Sequence, residues 1–182
     1  MKVKSSKGNC YIFKFGGTSL QTTECIHKVL DIIAGFDRPL VVVTSAVGGI
    51  TDLLVQASAD PALLHSRKDE IHRLHLRLAG KLGLEGASLV EYEAHLSETL
   101  ADLDAAGSAE DGKARDLILS TGERLSTWLV AKTLEMRGVR CKYIDSRPLI
   151  RTDSNWHEAR VDLAATDDLT HKALTPLIEK GV

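Results

Sequence analysis

The chain has 182 residues, and 43% of them are hydrophobic, so its length and composition suit one compact domain with a core of its own. Its 23 lysines and arginines against 25 aspartates and glutamates give a formal net charge of -2, and only 4% of residues are aromatic. There is no excess of positive charge to hold a polyanion and little aromatic surface for base stacking. We therefore expect no nucleic acid partner and favour small ligands.

The cysteines and the apolar runs indicate in which cellular compartment the protein is found. Cys10, Cys25 and Cys141 are widely spaced and form no CxxC pair, which argues against a disulfide framework or a structural zinc site. The first residues lack an apolar run of signal-peptide length, and the apolar run 40–43 is far too short to cross a bilayer. We expect a soluble, cytoplasmic protein with no membrane partner.

The first part of the chain predicts a strand, a glycine turn and a helix, twice in succession. Residues 10–15 form a β-prone run that ends at Gly16 and Gly17, and apolar residues then recur at helical spacing over 26–33. Residues 40–46 predict a buried strand, which a second glycine pair separates from a helix over about 50–58. Ligands of open α/β sheets gather where loops leave the carboxyl ends of strands, so the two turns indicate one shared site.

The remainder of the chain is mainly helical. Residues 60–105 predict a charged helical hairpin, with an apolar stripe in each helix made by Leu74, Leu78 and Leu82 and by Leu89, Leu96, Leu100 and Leu103. A loop over 107–112, a helix over 117–137 closed by Gly138, and a third strand over 140–144 are expected next. After an irregular or hairpin-like stretch, Thr166 is expected to open a last helix that ends near Gly181. Because alternating α/β sequence would then require another strand, we expect the chain to be part of a larger domain.

The sharpest motif is KFGGTS at residues 14–19. Two glycines let backbone amides approach an oxyanion, a helix that starts at once adds positive potential, and Lys14 adds a full charge. This pattern is typical of a phosphate-binding turn, although it is not a Walker A loop, because the lysine precedes the glycines. The alternative is a purely structural turn with a helix cap at Thr18 or Ser19.

Two further motifs indicate a binding site for a polar substrate. In TSAVGGITD, at 44–52, the hydroxyls of Ser45 and Thr51 flank a glycine pair, an arrangement that suits a carboxylate or phosphoryl group. The alternative is that Thr51 only caps its helix and Ser45 only closes the strand. In GERLS, at 122–126, the apolar neighbours predict that Glu123 is partly buried and needs a cationic partner, such as a substrate ammonium group. An ion pair of Glu123 with Arg124 or Lys113 is the competing interpretation.

Three histidines are candidate metal ligands. His65, His72 and His75 share a helix face at helical spacing, but no adjacent acid or cysteine completes a metal-binding set. We expect a solvated face there, and no metal held by protein ligands.

Taken in order and spacing, KFGGTS at 14–19, VVVTSAVGGITDLL at 41–54, GERLS at 122–126 and IDSRPLIRTD at 144–153 resemble the aspartokinase family of the amino acid kinase superfamily. The resemblance implies an α/β fold, a three-layer α/β/α sandwich around a mainly parallel sheet, here truncated. It also implies an aspartate kinase, which phosphorylates the side-chain carboxylate of L-aspartate with ATP and Mg²⁺ bound through ATP, the first step toward lysine, threonine and methionine.

The resemblance also implies a role for each motif residue. Lys14 would be catalytic, and the ATP phosphates would be bound by Lys14, Phe15, Gly16 and Gly17. The substrate-binding residues would be Ser45, Thr51 and Glu123, with Glu123 at the amino group of aspartate. These roles agree with the chemistry of phosphoryl transfer, which needs positioning and charge neutralisation more than covalent help from the protein.

One departure from the family matters for activity. The family's later TLGRGGSD segment, its adenine and ribose loops and its regulatory ACT domains have no counterpart in residues 1–182. We therefore expect the amino-terminal portion of a kinase domain, inactive by itself and homo-oligomeric when full length. Two alternatives stay open, namely a kinase for glutamate or acetylglutamate, and a non-catalytic substrate-binding or assembly module.

Overall fold

The computed structural model describes residues 2–5, 8–106 and 112–182. Its sheet has the order β1 (Lys2–Ser5), β2 (Gly8–Phe15) and β3 (Leu40–Thr44). β2 is antiparallel to β1 and parallel to β3, with Phe15 opposite Thr44 at the carboxyl ends of the parallel pair. The sequence did not predict β1, because its four residues KVKS show no clear apolar alternation; β2 supplies the edge on which they pair.

The described residues also form a 3₁₀ turn and six α-helices. The turn is Gly17–Leu20, and the helices are α1 (Thr23–Ala34), α2 (Ile50–Ala59), α3 (Pro61–Lys81), α4 (Gly86–Ala106), α5 (Gly112–Met136) and α6 (Leu163–Glu179). α5 contacts α1, α2, α3, α4 and β3, so it is the element on which the others pack. The buried leucine and isoleucine side chains of α1, α2, α4 and α5 belong to one hydrophobic core. None of the described helices is long and apolar enough to cross a membrane.

Side chains of β2 alternate between two faces of the sheet, as expected for a strand. Tyr11 and Phe13 pack against Phe36, with ring centroids 5.1 and 4.8 Å apart. On the opposite face Ile12 is 39% exposed and Lys14 is exposed as well. The ammonium group of Lys14 is therefore carried on an open face of the sheet.

The predicted third strand over 140–144 is wrong. These residues form no strand, and a cavity of about 830 Å³ is lined by this segment, by α6 and by all five residues of β3. Since consecutive residues of a strand point to opposite faces, contact with all five places the cavity along the free edge of β3. An extended segment becomes a strand only when its backbone groups find a partner ladder, and across this cavity none is provided.

Two helix starts differ from the predictions because other side chains supply the caps. The helix after the first glycine turn does not begin at once: the 3₁₀ turn intervenes, and Thr22, not Thr18 or Ser19, accepts a hydrogen bond from the Cys25 amide at 3.2 Å. The last helix begins three residues before Thr166, because the Asp162 carboxylate accepts from the Ala165 amide at 3.0 Å.

The bounds of α2 and the end of α6 agree closely with the sequence, whereas the helix predicted over 117–137 begins earlier, at Gly112. α2 matches the predicted helix over 50–58, and α6 ends two residues before Gly181. Residues 107–111 of the predicted loop lie outside the described residues, and Gly112 already belongs to α5.

The helical hairpin is confirmed as α3 and α4, but its buried stripe in α3 lies one residue further along than predicted. Ile71, His75 and Ala79 are buried there, whereas Leu74 and Leu78 are only half-buried. The expectation that His75 lies on a solvated face is therefore wrong. Its Nδ1 is 2.7 Å from the hydroxyl oxygen of Tyr92 on α4, so one of its two ring nitrogens is hydrogen-bonded inside the core.

Candidate functional site

The side chain of Lys14 ends beside the first glycine turn, which contains Gly16 and Gly17. Its Nζ lies 3.6 Å from the position that a Cβ on Gly16 would occupy, so the ammonium group sits beside the turn. The following 3₁₀ turn begins at Gly17, and its first amides lack a partner within the turn, as at the start of any helical segment. In the part of the chain that the structure describes, Lys14 forms no ion pair. Its charge is therefore available to an anion.

The second glycine turn lies directly against the first. The Ser45 amide donates to the Phe15 carbonyl at 2.9 Å, and the Gly48 amide donates to the Leu20 carbonyl at 3.4 Å. A Cβ on Gly48 would lie 2.9 Å from the Cα of Gln21, so only glycine permits this approach. The two turns therefore lie side by side, as the prediction of one shared site requires.

Thr51 and Ser45 both leave their hydroxyls uncommitted. The N-cap of α2 is Gly49, at φ 83°, with no side-chain cap, so the interpretation of Thr51 as the cap is wrong. Thr51 is exposed in the first turn of α2, and Ser45 is half-buried immediately after β3. Neither hydroxyl has a hydrogen-bond partner within residues 8–106 or 112–182. The two hydroxyls flank the second turn, as the motif predicted.

Glu123 lies on α5 and is exposed, which corrects the expectation of partial burial. Its apolar neighbours occupy other faces of the helix, and Leu125 is fully buried. The Ala46 amide donates to Glu123 Oε1 at 3.4 Å. Neither competing ion pair forms, since Arg124 pairs with Asp102 at 2.7 Å and Glu123 has no cationic partner among the residues described. A carboxylate thus reaches the second turn with its charge unneutralised.

Gly122 brings the backbone of α5 against the same turn. A Cβ at this buried position would lie 2.7 Å from the Cβ of Ala46, 3.2 Å from Leu54 Cδ1 and 3.4 Å from Ile50 Cγ2. Ala46 is also close to the first turn, because its carbonyl oxygen lies 3.8 Å from the Cβ position of Gly17. Ala46 is therefore the common neighbour of the lysine-bearing turn and the glutamate-bearing helix.

Three hydroxyls, which we name the hydroxyl joint, fix α5 to the end of β3: those of Thr44, Ser126 and Thr127. Ser126 Oγ donates to the Ser45 carbonyl at 2.7 Å, and Thr127 Oγ1 donates to the Glu123 carbonyl at 2.6 Å. The Thr44 and Thr127 hydroxyl oxygens are 2.8 Å apart. Because Thr127 uses its hydrogen on Glu123, Thr44 is the donor of that pair.

Sequence reasoning assigned no role to the hydroxyl joint. Its signal is the position of two hydroxyl residues three and four places after Glu123, on the same side of the helix. Helical spacing alone places them together, but only the tertiary structure brings β3 to them.

Two arginines, Arg124 and Arg147, are each paired with a carboxylate other than Glu123. Besides the Arg124–Asp102 pair, the guanidinium of Arg147 lies 2.6 Å from Asp145. Burial raises the pKa of the Asp145 carboxyl, but hydrogen bonds from Arg147 more than offset this effect, so that pKa lies below its ordinary value. Arg147 also lies 3.9 Å from Asp102 on α4, which links the segment after α5 to the helices. Neither arginine pairs with Glu123, so this carboxylate is free to meet a cation from solution.

Comparison with known proteins shows which family the sequence matches. The chain matches the amino acid kinase family over residues 9–182. It is 29% identical over 173 residues to the lysine-sensitive aspartokinase 3 of Escherichia coli (strain K12), covering 94% of this chain and 38% of that protein. It is 34% identical over 161 residues to the aspartokinase of Chlamydia pneumoniae, covering 84% of this chain and 33% of that protein.

A solved structure gives the same result for the fold. The structure of E. coli aspartokinase III in complex with aspartate and ADP, in the R-state, superposes with a TM-score of 0.81 at 28% identity. The match covers 94% of this chain and 39% of that one, so the chain spans between a third and two fifths of the length of these relatives. The α/β fold class and the resemblance to aspartokinases are confirmed, and the chain belongs to the amino acid kinase family.

Proposed function

We propose that the gene product carrying these residues is an aspartate kinase, which transfers the γ-phosphoryl group of ATP to the side-chain carboxylate of L-aspartate. The products are 4-phospho-L-aspartate and ADP. The main support is the position of Ala46, whose amide meets the Glu123 carboxylate while its carbonyl lies beside the turn that follows Lys14. The relatives are named aspartokinases, and one of their structures holds aspartate and ADP.

The amino acid end of the site is assigned to the second turn and α5. Glu123 is an exposed carboxylate without a cation, so it suits the ammonium group of an amino acid. The hydroxyls of Ser45 and Thr51 are uncommitted and flank the turn, and hydroxyl donors suit a carboxylate. A substrate with one ammonium group and carboxylates on both sides of it fits this set.

The phosphate end is assigned to the first turn. Because Gly16 and Gly17 carry no side chains, phosphate oxygens can approach the amides of these two residues, and Lys14 Nζ stands beside the turn. ATP bound here would supply the phosphoryl group, and Mg²⁺ bound through ATP would neutralise charge on its phosphates. Lys14 stabilises the negative charge that develops on the transferring group, and this stabilisation is the chemical contribution assigned to it.

The compartment and assembly are also part of the proposal. All three cysteines are free thiols, which suits a reducing cytoplasm. We place the protein in the cytoplasm, as a homo-oligomer that catalyses the first step toward lysine, threonine and methionine.

The test is ADP formation by the purified gene product with ATP, Mg²⁺ and L-aspartate, and trapping of the acyl phosphate as a hydroxamate with hydroxylamine. Glutamate and N-acetylglutamate are compared as acceptors. Lys14→Met and Glu123→Gln are each expected to reduce kcat/KM for aspartate by at least about tenfold. Lys28→Met, an exposed lysine of α1, is the matched control and should leave turnover unchanged.

Turnover with glutamate or N-acetylglutamate, but not with aspartate, would show that the proposed substrate is wrong. Calorimetric binding of L-aspartate without ADP formation would favour the alternative of a substrate-binding module. Lys14→Met and Glu123→Gln variants that turn over like the Lys28→Met control would refute the assigned site.

A further inference from the structure

We propose that Gly122 is a positioning residue, whose lack of a side chain sets the distance between α5 and the turn after β3 and thereby places Glu123 against the Ala46 amide. This inference rests on the proposed function, in which Glu123 binds the ammonium group of the substrate. It adds a residue that touches neither substrate nor nucleotide in that proposal and acts through its neighbour.

The geometry leaves no room for a side chain at residue 122. Carbon atoms in favourable contact are about 3.5–4.0 Å apart, so a Cβ only 2.7 Å from the Cβ of Ala46 would force a displacement of about 1 Å. The other two neighbours, Leu54 and Ile50, are completely buried and have little freedom to move aside. The backbone of α5 itself would have to move.

The hydroxyl joint determines which part of α5 moves. Ser126 is bonded to the Ser45 carbonyl, and Thr127 to Thr44, one turn beyond Gly122. With the helix held there, a side chain at 122 would tilt the preceding turn away from β3. Glu123 lies between the fixed point and the displaced point, so its carboxylate would move with the helix.

The hydrogen bond between the Ala46 amide and the Glu123 carboxylate cannot be stretched further without breaking. The Ala46 amide and Glu123 Oε1 are 3.4 Å apart, already at the long end for an N–H···O hydrogen bond. A further displacement of about 1 Å would break it. Glycine is also a poor residue for a helix interior, and its presence in the middle of α5 is explained when only glycine permits this approach.

The experiment compares four variants of the gene product, Gly122→Ala, Ala46→Gly, the double variant and Gly80→Ala. Gly122→Ala is expected to raise the KM for L-aspartate by at least about tenfold while the KM for ATP is unchanged. Ala46→Gly removes the Cβ that is 2.7 Å away but keeps the amide and the contacts with Leu54 and Ile50, so the double variant should recover part of the aspartate affinity. Gly80 is a glycine of α3 with nothing near its Cβ position, so Gly80→Ala should be neutral for both substrates.

A second readout does not depend on turnover. The amide proton of residue 46 is hydrogen-bonded to the Glu123 carboxylate. Its NMR chemical shift should therefore move upfield in Gly122→Ala, where this hydrogen bond is lost. In the double variant the shift should return toward the value measured in Ala46→Gly. An unchanged shift and an unchanged KM for aspartate in Gly122→Ala would overturn the inference. So would an equal loss for both substrates that Ala46→Gly fails to relieve, since that pattern indicates only damaged packing. If the unmodified gene product forms no ADP, the proposed function fails, and the chemical shift still decides the role of Gly122.

Discussion

His75 shows how a single polar side chain is accommodated in this core. The ring is completely buried between α3 and α4, its Nδ1 is bonded to Tyr92, and its Nε2 has no partner among the described residues. Burial, with a smaller contribution from His72 nearby, lowers the pKa of His75 to about 4. The neutral ring is therefore the form that the folded protein favours.

This shift predicts a pH dependence of stability. In the unfolded chain a histidine titrates near 6.5, so between about pH 6.5 and pH 4 the unfolded state binds more protons than the folded state. The contribution of His75 is fully present above pH 6.5 and is lost as the pH falls toward 4. We expect the loss to be on the order of 3 kcal/mol in the free energy of unfolding.

The measurement is urea unfolding at a series of pH values from 7.5 to 4.5, on the wild-type chain and on His75→Leu. The variant should be less stable at neutral pH, because Tyr92 loses its partner, and should show a smaller decrease in stability on acidification. His65→Gln is the control, because His65 is an exposed histidine of the same helix. A His75→Leu variant with the wild-type pH dependence would contradict the assignment.

At the scale of elements, the contact between β3 and α5 is made by hydroxyls. Thr44 is buried at the end of the strand, and its hydroxyl donates to Thr127, which in turn donates to the Glu123 carbonyl. Such a chain satisfies each hydroxyl only while strand and helix stay in register. The position of α5 on the sheet, and with it the position of Glu123, is therefore specified by hydrogen bonds as well as by apolar packing.

A double-mutant cycle tests this contact. Thr44→Val and Thr127→Val each remove one hydroxyl while keeping the shape of the side chain, and we expect an interaction energy of about 1 kcal/mol between them. Thr133 is the matched control, because it is a buried threonine of α5 whose hydroxyl donates to Leu129. Thr44→Val and Thr133→Val should be additive in the free energy of urea unfolding. Additivity of the Thr44 and Thr127 substitutions would show that the hydroxyl pair contributes no coupling.

At the scale of the whole molecule, the two edges of β3 differ. One edge pairs with β2 from Leu40 to Thr44, whereas the other borders the cavity of about 830 Å³. In a parallel pair, alternate residues of a strand bond to the same neighbour, so only half of the β3 amides are engaged by β2.

Amide hydrogen exchange measured by NMR should report this asymmetry. We expect alternating protection along β3, with the amides that face the cavity exchanging fastest, and the same alternation over residues 12–15 of β2, which pair with β3 but not with β1. Uniform protection along β3 would mean that its second edge is paired in solution, which would contradict an open cavity at this edge.

The sequence by itself determined the local features of the protein. Helical periodicity and glycine turns predicted β2, β3 and all six of the described helices, because these signals depend on residues a few positions apart. The motifs also identified Lys14, Ser45, Thr51 and Glu123 as candidates before any contact was known. β1 and the exact helix starts were missed, since pairing on an existing edge and side-chain capping depend on where the neighbouring chain lies.

Only the tertiary structure decided how those candidates relate to one another. Glu123 meets an amide 77 positions earlier in the chain, and Thr44 meets Thr127 across 83 positions, separations at which no sequence periodicity carries information. The same reason accounts for the errors. Whether residues 140–144 find a partner strand, and whether His75 faces solvent or Tyr92, depends on packing between distant segments, and so does the close approach that Gly122 permits.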